Sequence, residues 1–371
     1  MIYFDNSATT RPHPKVSQLM QKLMDECYFN ASSLYAKGAS SLEYINAAKS
    51  KIAAIMCCDK SEILLGPSGT ICNNLAILGA ASGARRHGNR IVISSVEHPS
   101  IFSLCNELEK RGFEVALTHP DQKSIYNAID SNTILVSLMY VNNETGLILP
   151  IDKVRDIIVK KQSKAIFHID AVQAFLRKPT NVNKLGCDLM TVSAHKIHGP
   201  KGIAALYVKK GTKLSPILFG GEQERSLLPG TYDHIAAAGF AKAVDLFEKD
   251  AQSKLKELSD YFIENANKIE FINLNRADGE YADHIINISF NGYIGENVLH
   301  FLEQYGILVS VGSACSSRSK SRGRVLKAQG LDDKKIQGAV RISFCPQNTK
   351  AEIDEFFKAL LRIPNDLIQI R

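Results

Sequence analysis

A chain of 371 residues, 45% hydrophobic and 22% charged, has room for about two domains at roughly 150 residues each, and its composition excludes wholesale disorder. Lys and Arg number 45 against 38 Asp and Glu, a net charge of +7. That balance is too diffuse to mark a nucleic-acid-binding protein, and no direct nucleic-acid partner is expected. The eight cysteines (27, 57, 58, 72, 105, 187, 315 and 345) form neither a Cys-x-x-Cys pair nor the Cys/His spacing of a zinc site, so no metal is expected. No apolar run reaches the ~18 residues that cross a bilayer. The opening Met1-Ile2-Tyr3-Phe4-Asp5 has no basic and apolar signal pattern. A cytoplasmic, reducing location with free thiols and no membrane partner is the expectation.

In chain order, the first strand candidate is Glu62–Leu65, followed by Gly66-Pro67-Ser68-Gly69-Thr70 and a helix over Asn73–Ala81. Strands follow at Arg90–Val96, Ile134–Tyr140, Ala165–Ile169, Asp188–Val192 and Ile203–Val208, with amphipathic segments at Ile101–Arg111 and Ile151–Lys161. These runs are rich in Val and Ile and lack internal Pro, as strands buried on both faces should be. Alternation of this kind predicts an α/β domain with a mainly parallel sheet. Residues 233–270 read as one long helical stretch. A strand (Ile285–Phe290), a helix (Gly295–Tyr305), a Gly/Ser-rich loop and a closing helix near Ala351–Leu361 then read as a smaller α+β domain.

In open parallel sheets, ligands bind beyond the carboxyl ends of the strands. Five successive strands of this chain are followed there by polar groups: Ser68-Gly69-Thr70, Glu97-His98, Asn142-Asn143-Glu144, Asp170 with Gln173, and Ser193-Ala194-His195-Lys196. Any one of them alone would pass for a cap or a turn residue. Taken together their chemistry is complementary. The helix start at Ser68–Thr70 suits a phosphate, Asp170 would keep a pyridinium protonated, and Lys196 can form a Schiff base with an aldehyde. These are the three requirements of pyridoxal phosphate. Asn143 and Gln173 suit a ring hydroxyl, and His98 suits stacking on a ring. No Gly-x-Gly-x-x-Gly follows an early strand, which argues against a nicotinamide site.

Tyr3-Phe4-Asp5-Asn6-Ser7-Ala8-Thr9-Thr10, Val96-Glu97-His98-Pro99-Ser100, Tyr140-Val141-Asn142-Asn143-Glu144, His168-Ile169-Asp170-Ala171-Val172-Gln173, Ser193-Ala194-His195-Lys196, Gly220-Gly221-Glu222-Gln223-Glu224 and Gly312-Ser313-Ala314-Cys315-Ser316 stand in the order of one family. The chain resembles, over essentially its whole length, a NifS/IscS-like cysteine desulfurase of the class V pyridoxal-phosphate-dependent aminotransferases. The resemblance implies fold type I: a large domain (14–255) with a mainly parallel seven-stranded sheet, and a smaller α+β domain (1–13 and 256–371). It implies conversion of L-cysteine to L-alanine with transfer of sulfur to Cys315 as a persulfide. Lys196 resembles the cofactor-binding lysine, His98 the ring-stacking histidine, and Asp170 the pyridinium partner. Asn143 and Gln173 match contacts to the ring oxygen. Gly69, Thr70, Ser193 and His195 match phosphate contacts. Thr231 matches a phosphate contact donated by the neighbouring subunit, which implies a homodimer. Arg341 matches the arginine that grips the substrate carboxylate. The implied sulfur acceptor is a protein, an iron–sulfur scaffold or a tRNA-thiolating enzyme.

Cys315 sits in a small, polar segment followed by Arg318, Lys320, Arg322 and Arg324, and cationic neighbours favour a thiolate. The other seven cysteines read as packing residues. Three departures from the family pattern stand out: Ile71 replaces an acid, Leu228 replaces an arginine, and Tyr35 replaces a histidine. They keep two further readings open, a selenocysteine lyase or other lyase of the same class, and a diverged, weakly active cofactor-binding scaffold.

Overall fold

The computed structural model describes residues 1–248, 250–312 and 323–369. Cys315, Arg318, Lys320 and Arg322 therefore lie outside the described residues, and Arg324 lies inside them. Packing divides the chain into two compact units. One comprises Arg11–Tyr140 and Leu149–Phe247; the other comprises Met1–Thr10, Val141–Ile148 and Glu248 onward.

The larger unit is built on a seven-stranded sheet. Its strands in chain order are β1 (Ile63–Gly66), β2 (Arg90–Ser94), β3 (Glu114–Thr118), β4 (Thr133–Met139), β5 (Ile166–Asp170), β6 (Leu189–Ser193) and β7 (Ala204–Val208). They lie side by side in the order β1-β7-β6-β5-β4-β2-β3. Pairing is parallel from β6 across to β3, and β7 runs antiparallel to both of its neighbours. The Val/Ile runs predict six of these strands to within about two residues at each end. Every residue of β1, β4, β6 and β7 is buried, which is why those segments carry unbroken apolar runs. The seventh, β3, stands at the sheet edge, where Glu114 and Leu117 are exposed.

Helices α1 (Pro14–Glu26) and α2 (Ala36–Met56) both pack on α5 (His234–Leu246). Two shorter helices frame the site: α3 (Gly69–Asn74) and α4 (Pro99–Phe102). The chain leaves α3 through a wide π turn at Leu75–Gly79 and continues helically over Ala80–Ala84. Such turns recur near functional sites. The expected single helical stretch over 233–270 is instead two helices. The first ends at Leu246, where Phe247 turns to extended geometry, and α6 (Ala251–Ala266) belongs to the other unit.

The smaller unit holds a three-stranded antiparallel sheet of β8 (Ile272–Leu274), β9 (Ile285–Phe290) and β10 (Ala339–Ser343), with β9 central. Helices α6, α7 (Gly295–Gln304) and α8 (Lys350–Leu360) contribute to its core together with Phe4, Phe290 and Phe344. Phe262 packs on Phe344 and Phe356 at ring-centroid distances of 5.7 and 5.3 Å. The N-terminal Ile2–Tyr3 pairs parallel with Ile307–Leu308, which fixes the start of the chain in this unit. No helix among the described residues is long and apolar enough to cross a membrane.

Candidate active site

The larger unit collects most of the predicted polar groups at the carboxyl ends of β1, β5 and β6. Ser68 caps α3 by accepting the Ile71 N–H at 3.3 Å. Gly69 stands beside Val172 and Ser193: a Cβ built on it would lie 3.4 Å from Val172 Cγ2 and 4.0 Å from Ser193 Cβ. The helix start thus lies against the end of β6, with Thr70 next in line.

Asp170 ends β5 and is 5% exposed. Its Oδ1 accepts the Val172 N–H at 3.0 Å, and its Oδ2 accepts from Asn73 Nδ2 at 2.9 Å. No cation among the described residues pairs with it. A buried carboxylate held only by neutral donors is costly to desolvate, and a ligand that presents a cationic N–H would offset that cost. Protonated pyridine nitrogen is such a group, so the donor set fits pyridoxal phosphate.

His98 caps α4: Ser100 N donates to its Nδ1 at 3.1 Å, and Ser100 Oγ lies 2.8 Å from the same atom. The bland reading of His98 as a helix cap is therefore correct as far as Nδ1 goes. The preceding Glu97 turns inward and is fully buried, accepting from the Ser94 hydroxyl and, at 2.7 Å, from Met139 N. It ties the end of β2 to β4.

Lys196 closes a single 3-10 turn, Ala194–Lys196, after β6. The turn is sharp because Gly199 N donates to Ala194 O at 3.0 Å. A Cβ on Gly199 would stand 2.8 Å from that oxygen, so the position requires glycine. The Lys196 carbonyl accepts from Arg177 Nη2 at 2.6 Å. Burial pushes the pKa of His195 down to about 3, helped by Lys196, Lys201 and His98. His195 is therefore a neutral imidazole at physiological pH. Gln173 is buried at 4% exposure.

Of the remaining predicted residues, Asn143 and Arg341 belong to the smaller unit and Thr231 to the larger one. Asn143 is buried in the segment that packs with the smaller unit, and its carbonyl accepts from Arg341 Nη1 at 2.9 Å. Arg341, in β10, is 1% exposed; its Nη2 donates to Asp5 Oδ1 at 2.6 Å, and its Nε has no partner among the described residues. Thr231 is exposed on the single chain. The loop before it is pinned by Glu224, a buried carboxylate bonded to Lys49 and to Leu65 N, and its residues Glu224, Arg225 and Ser226 all have positive φ. The departures Ile71 and Leu228 both join the apolar core of the larger unit.

Sequence reasoning missed Asn73 and Ser100, which tie Asp170 to His98. It also passed over His168, a fully buried histidine between Ser137 Oγ at 2.9 Å and Thr191 Oγ1 at 3.1 Å. Burial lowers its pKa to about 3. The folded state therefore resists a proton that the unfolded chain accepts near pH 6.5. This stability is present above that pH and is lost as pH falls from 6.5 toward 3, at about 1.4 kcal/mol per pH unit. Acid unfolding curves of His168→Gln should show a slope shallower by about one proton between pH 6 and 4. An unchanged slope would refute the assignment.

Among the described residues, Cys27, Cys57, Cys58, Cys72 and Cys187 form no disulfide. Burial raises the pKa of Cys58 and Cys72 to about 12 and raises Cys187 as well. These three stay protonated thiols, as packing residues do.

The sequence profile of the aminotransferase class-V family matches residues 2–356. A cysteine desulfurase IscS of Methanosarcina thermophila is 37% identical over 99% of this chain and 92% of its own length. Another, from Dictyoglomus turgidum, is 37% identical over 98% of this chain and 94% of its own. The solved structure of a NifS-like protein superposes with a TM-score of 0.92 at 30% identity, covering 99% of this chain and all of that one. The chain belongs to the aminotransferase class-V family, within its group of cysteine desulfurases. Members of this family depend on pyridoxal 5'-phosphate, and this chain is a pyridoxal-phosphate enzyme.

Proposed function

We propose that the enzyme takes sulfur from L-cysteine, releases L-alanine, carries the sulfur as a persulfide on Cys315 and passes it to an acceptor protein. The observation that carries this reading is the buried Asp170 carboxylate, without a cationic partner among the described residues, in the same unit as the Ser68–Thr70 helix start and the Lys196 turn.

Pyridoxal 5'-phosphate, when bound, supplies an aldehyde carbon for an amine and a ring that stores the electrons released when the substrate Cα loses its proton. Asp170 would hold the ring nitrogen and its proton. Gly69, Thr70, Ser193 and His195 would hold the phosphate, and a neutral His195 does so as a hydrogen-bond donor without adding charge. His98 would cover the ring, with Gln173 and Asn143 at the ring oxygen. Lys196 Nζ takes the Cα proton. The Arg341 guanidinium takes the substrate carboxylate, for which its planar fork is suited. The Cys315 thiolate forms an S–S bond to the substrate sulfur as the Cβ–S bond breaks. That electron pair passes to Cβ, which gains a proton and becomes the methyl of alanine.

The roles of Asn143, Arg341, Thr231 and Cys315 rest on the family resemblance. So does a homodimer, in which each chain would lend Thr231 to its partner's phosphate site. The run Arg318, Lys320, Arg322 and Arg324 suits an acidic face on the acceptor, an iron–sulfur scaffold or a tRNA-thiolating enzyme. Persulfide chemistry requires Cys315 to remain a thiol, which agrees with a cytoplasmic location.

The test is an absorbance spectrum of the holoenzyme before and after L-cysteine, with alanine and sulfide assayed. Cys315→Ser should keep the cofactor spectrum, form no persulfide, and slow alanine release by about 10²-fold or more, the scale of a missing chemical group. Alanine release at the wild-type rate would remove Cys315 from the role.

A further inference from the structure

Asn73 lies on α3, on the same face as Gly69 and four residues after it, and is 1% exposed. Both hydrogens of its side-chain amide are used. One goes to Asp170 Oδ2 at 2.9 Å and the other to Ser100 Oγ at 2.9 Å. Ser100 is itself buried. Ser100 N donates to His98 Nδ1 at 3.1 Å, which makes that nitrogen an acceptor, so the Ser100 hydroxyl, 2.8 Å from the same atom, donates to it as well. The Ser100 oxygen accepts from Asn73 while its hydrogen serves Nδ1. An amide nitrogen cannot accept, so Asn73 can only donate to both sides. The Asp170 carboxylate therefore accepts on one side and the Ser100 oxygen on the other; Nδ1 is kept an acceptor by the Ser100 N–H. The neutral ring of His98 must carry its hydrogen on Nε2. The Asn73 carbonyl oxygen is buried with no partner among the described residues. A buried acceptor left empty is destabilising, a cost met here where both amide hydrogens are committed.

We propose that Asn73 is a positioning residue. Its amide sets the Asp170 carboxylate for the cofactor's ring nitrogen and holds in place the Ser100 hydroxyl that donates to His98 Nδ1, so the two ring partners act as one unit. This rests on the assignment of Asp170 and His98 to the cofactor and goes beyond it. The titratable groups around the network are His195 and Lys196 on the turn after β6 and Cys72 on α3. Glu97 is turned away toward Met139 N.

Two substitutions separate the arms. In holoenzyme, Asn73→Ala cuts both. The midpoint of the pH titration of the cofactor's absorbance should move, the dissociation constant for pyridoxal phosphate should rise, and kcat for alanine release should fall about tenfold to a hundredfold, as for outer partners of other sites. KM for L-cysteine should change far less. Ser100→Ala cuts only the histidine arm. It should shift the pH profile of kcat and leave the absorbance titration in place, and Ser100→Thr, which restores a hydroxyl, should return the profile toward wild type. Equal titrations, affinities and pH profiles in wild type, Asn73→Ala and Ser100→Ala overturn the proposal. If Asn73→Ala does not fold, the Ser100 pair alone decides: failure of Ser100→Ala to move the profile overturns it. Absence of any absorbance response to L-cysteine in the wild-type protein would instead overturn the desulfurase reading.

Discussion

Lys196→Ala abolishes alanine release from L-cysteine and removes the absorbance of the lysine–cofactor bond, while the fold stays intact. The lysine ends a one-turn 3-10 segment whose geometry is set by backbone bonds from Ile197 and Gly199 to Ala194 O and by the Arg177 bond to the Lys196 carbonyl. None of these bonds involves the lysine amine, so truncation leaves the turn in place. What goes is the covalent attachment and the base that takes the Cα proton. A missing general base alone costs about 10²–10⁴ in rate, and loss of the attachment adds to it. Release should fall below about one part in 10⁴ of wild type. Non-covalent cofactor binding through Asp170 and the α3 start should persist, giving the spectrum of the free aldehyde. Release above about a hundredth of the wild-type rate would show that another group supplies the base.

The parts legible in the sequence are those where one physical demand acts alone. Ile134–Val136 and Ile166–Phe167 are apolar because strands in the middle of a parallel sheet have no solvent face. Glu114–Thr118 escapes the same reasoning because an edge strand has one: Leu117 is 51% exposed and Glu114 points to water, so no apolar run forms. The break at Phe247 is silent because no Pro or Gly marks it; the helix ends where one compact unit gives way to the other. At the site, Asp170 and Lys196 are found by looking just past a strand end. Asn73 and Ser100 are not, since they lie on the helices that follow, and only the fold brings them to the carboxylate. The available signal was spacing: Asn73 falls one helical turn after Gly69 and so shares the face turned to the phosphate end. Cys315 is the reverse case, a residue whose role is read from sequence context alone.

Asp170→Asn separates the cofactor's electronic partner from its mere pocket. The carboxylate is buried and bonded to Asn73 Nδ2 and Val172 N. Asparagine has nearly the same shape, and its carbonyl oxygen can keep one of those bonds. In the cofactor-free protein the change removes a buried negative charge that has no cationic partner among the described residues. The thermal midpoint of that form should hold or rise, because an unpaired buried charge is the costlier of the two. With pyridoxal phosphate added the order reverses. Binding raises apparent stability by RT ln(1 + [L]/Kd), and a neutral amide offers no charge to hold the ring nitrogen's proton. The ligand-induced rise in midpoint should therefore shrink in Asp170→Asn relative to wild type at equal cofactor. Alanine release should fall about 10²–10³-fold, the scale seen when one preorganised electrostatic partner is removed. The two measurements must move together: a full cofactor-induced rise in midpoint combined with wild-type release would mean that Asp170 is a structural carboxylate and that the proton on the ring is held elsewhere.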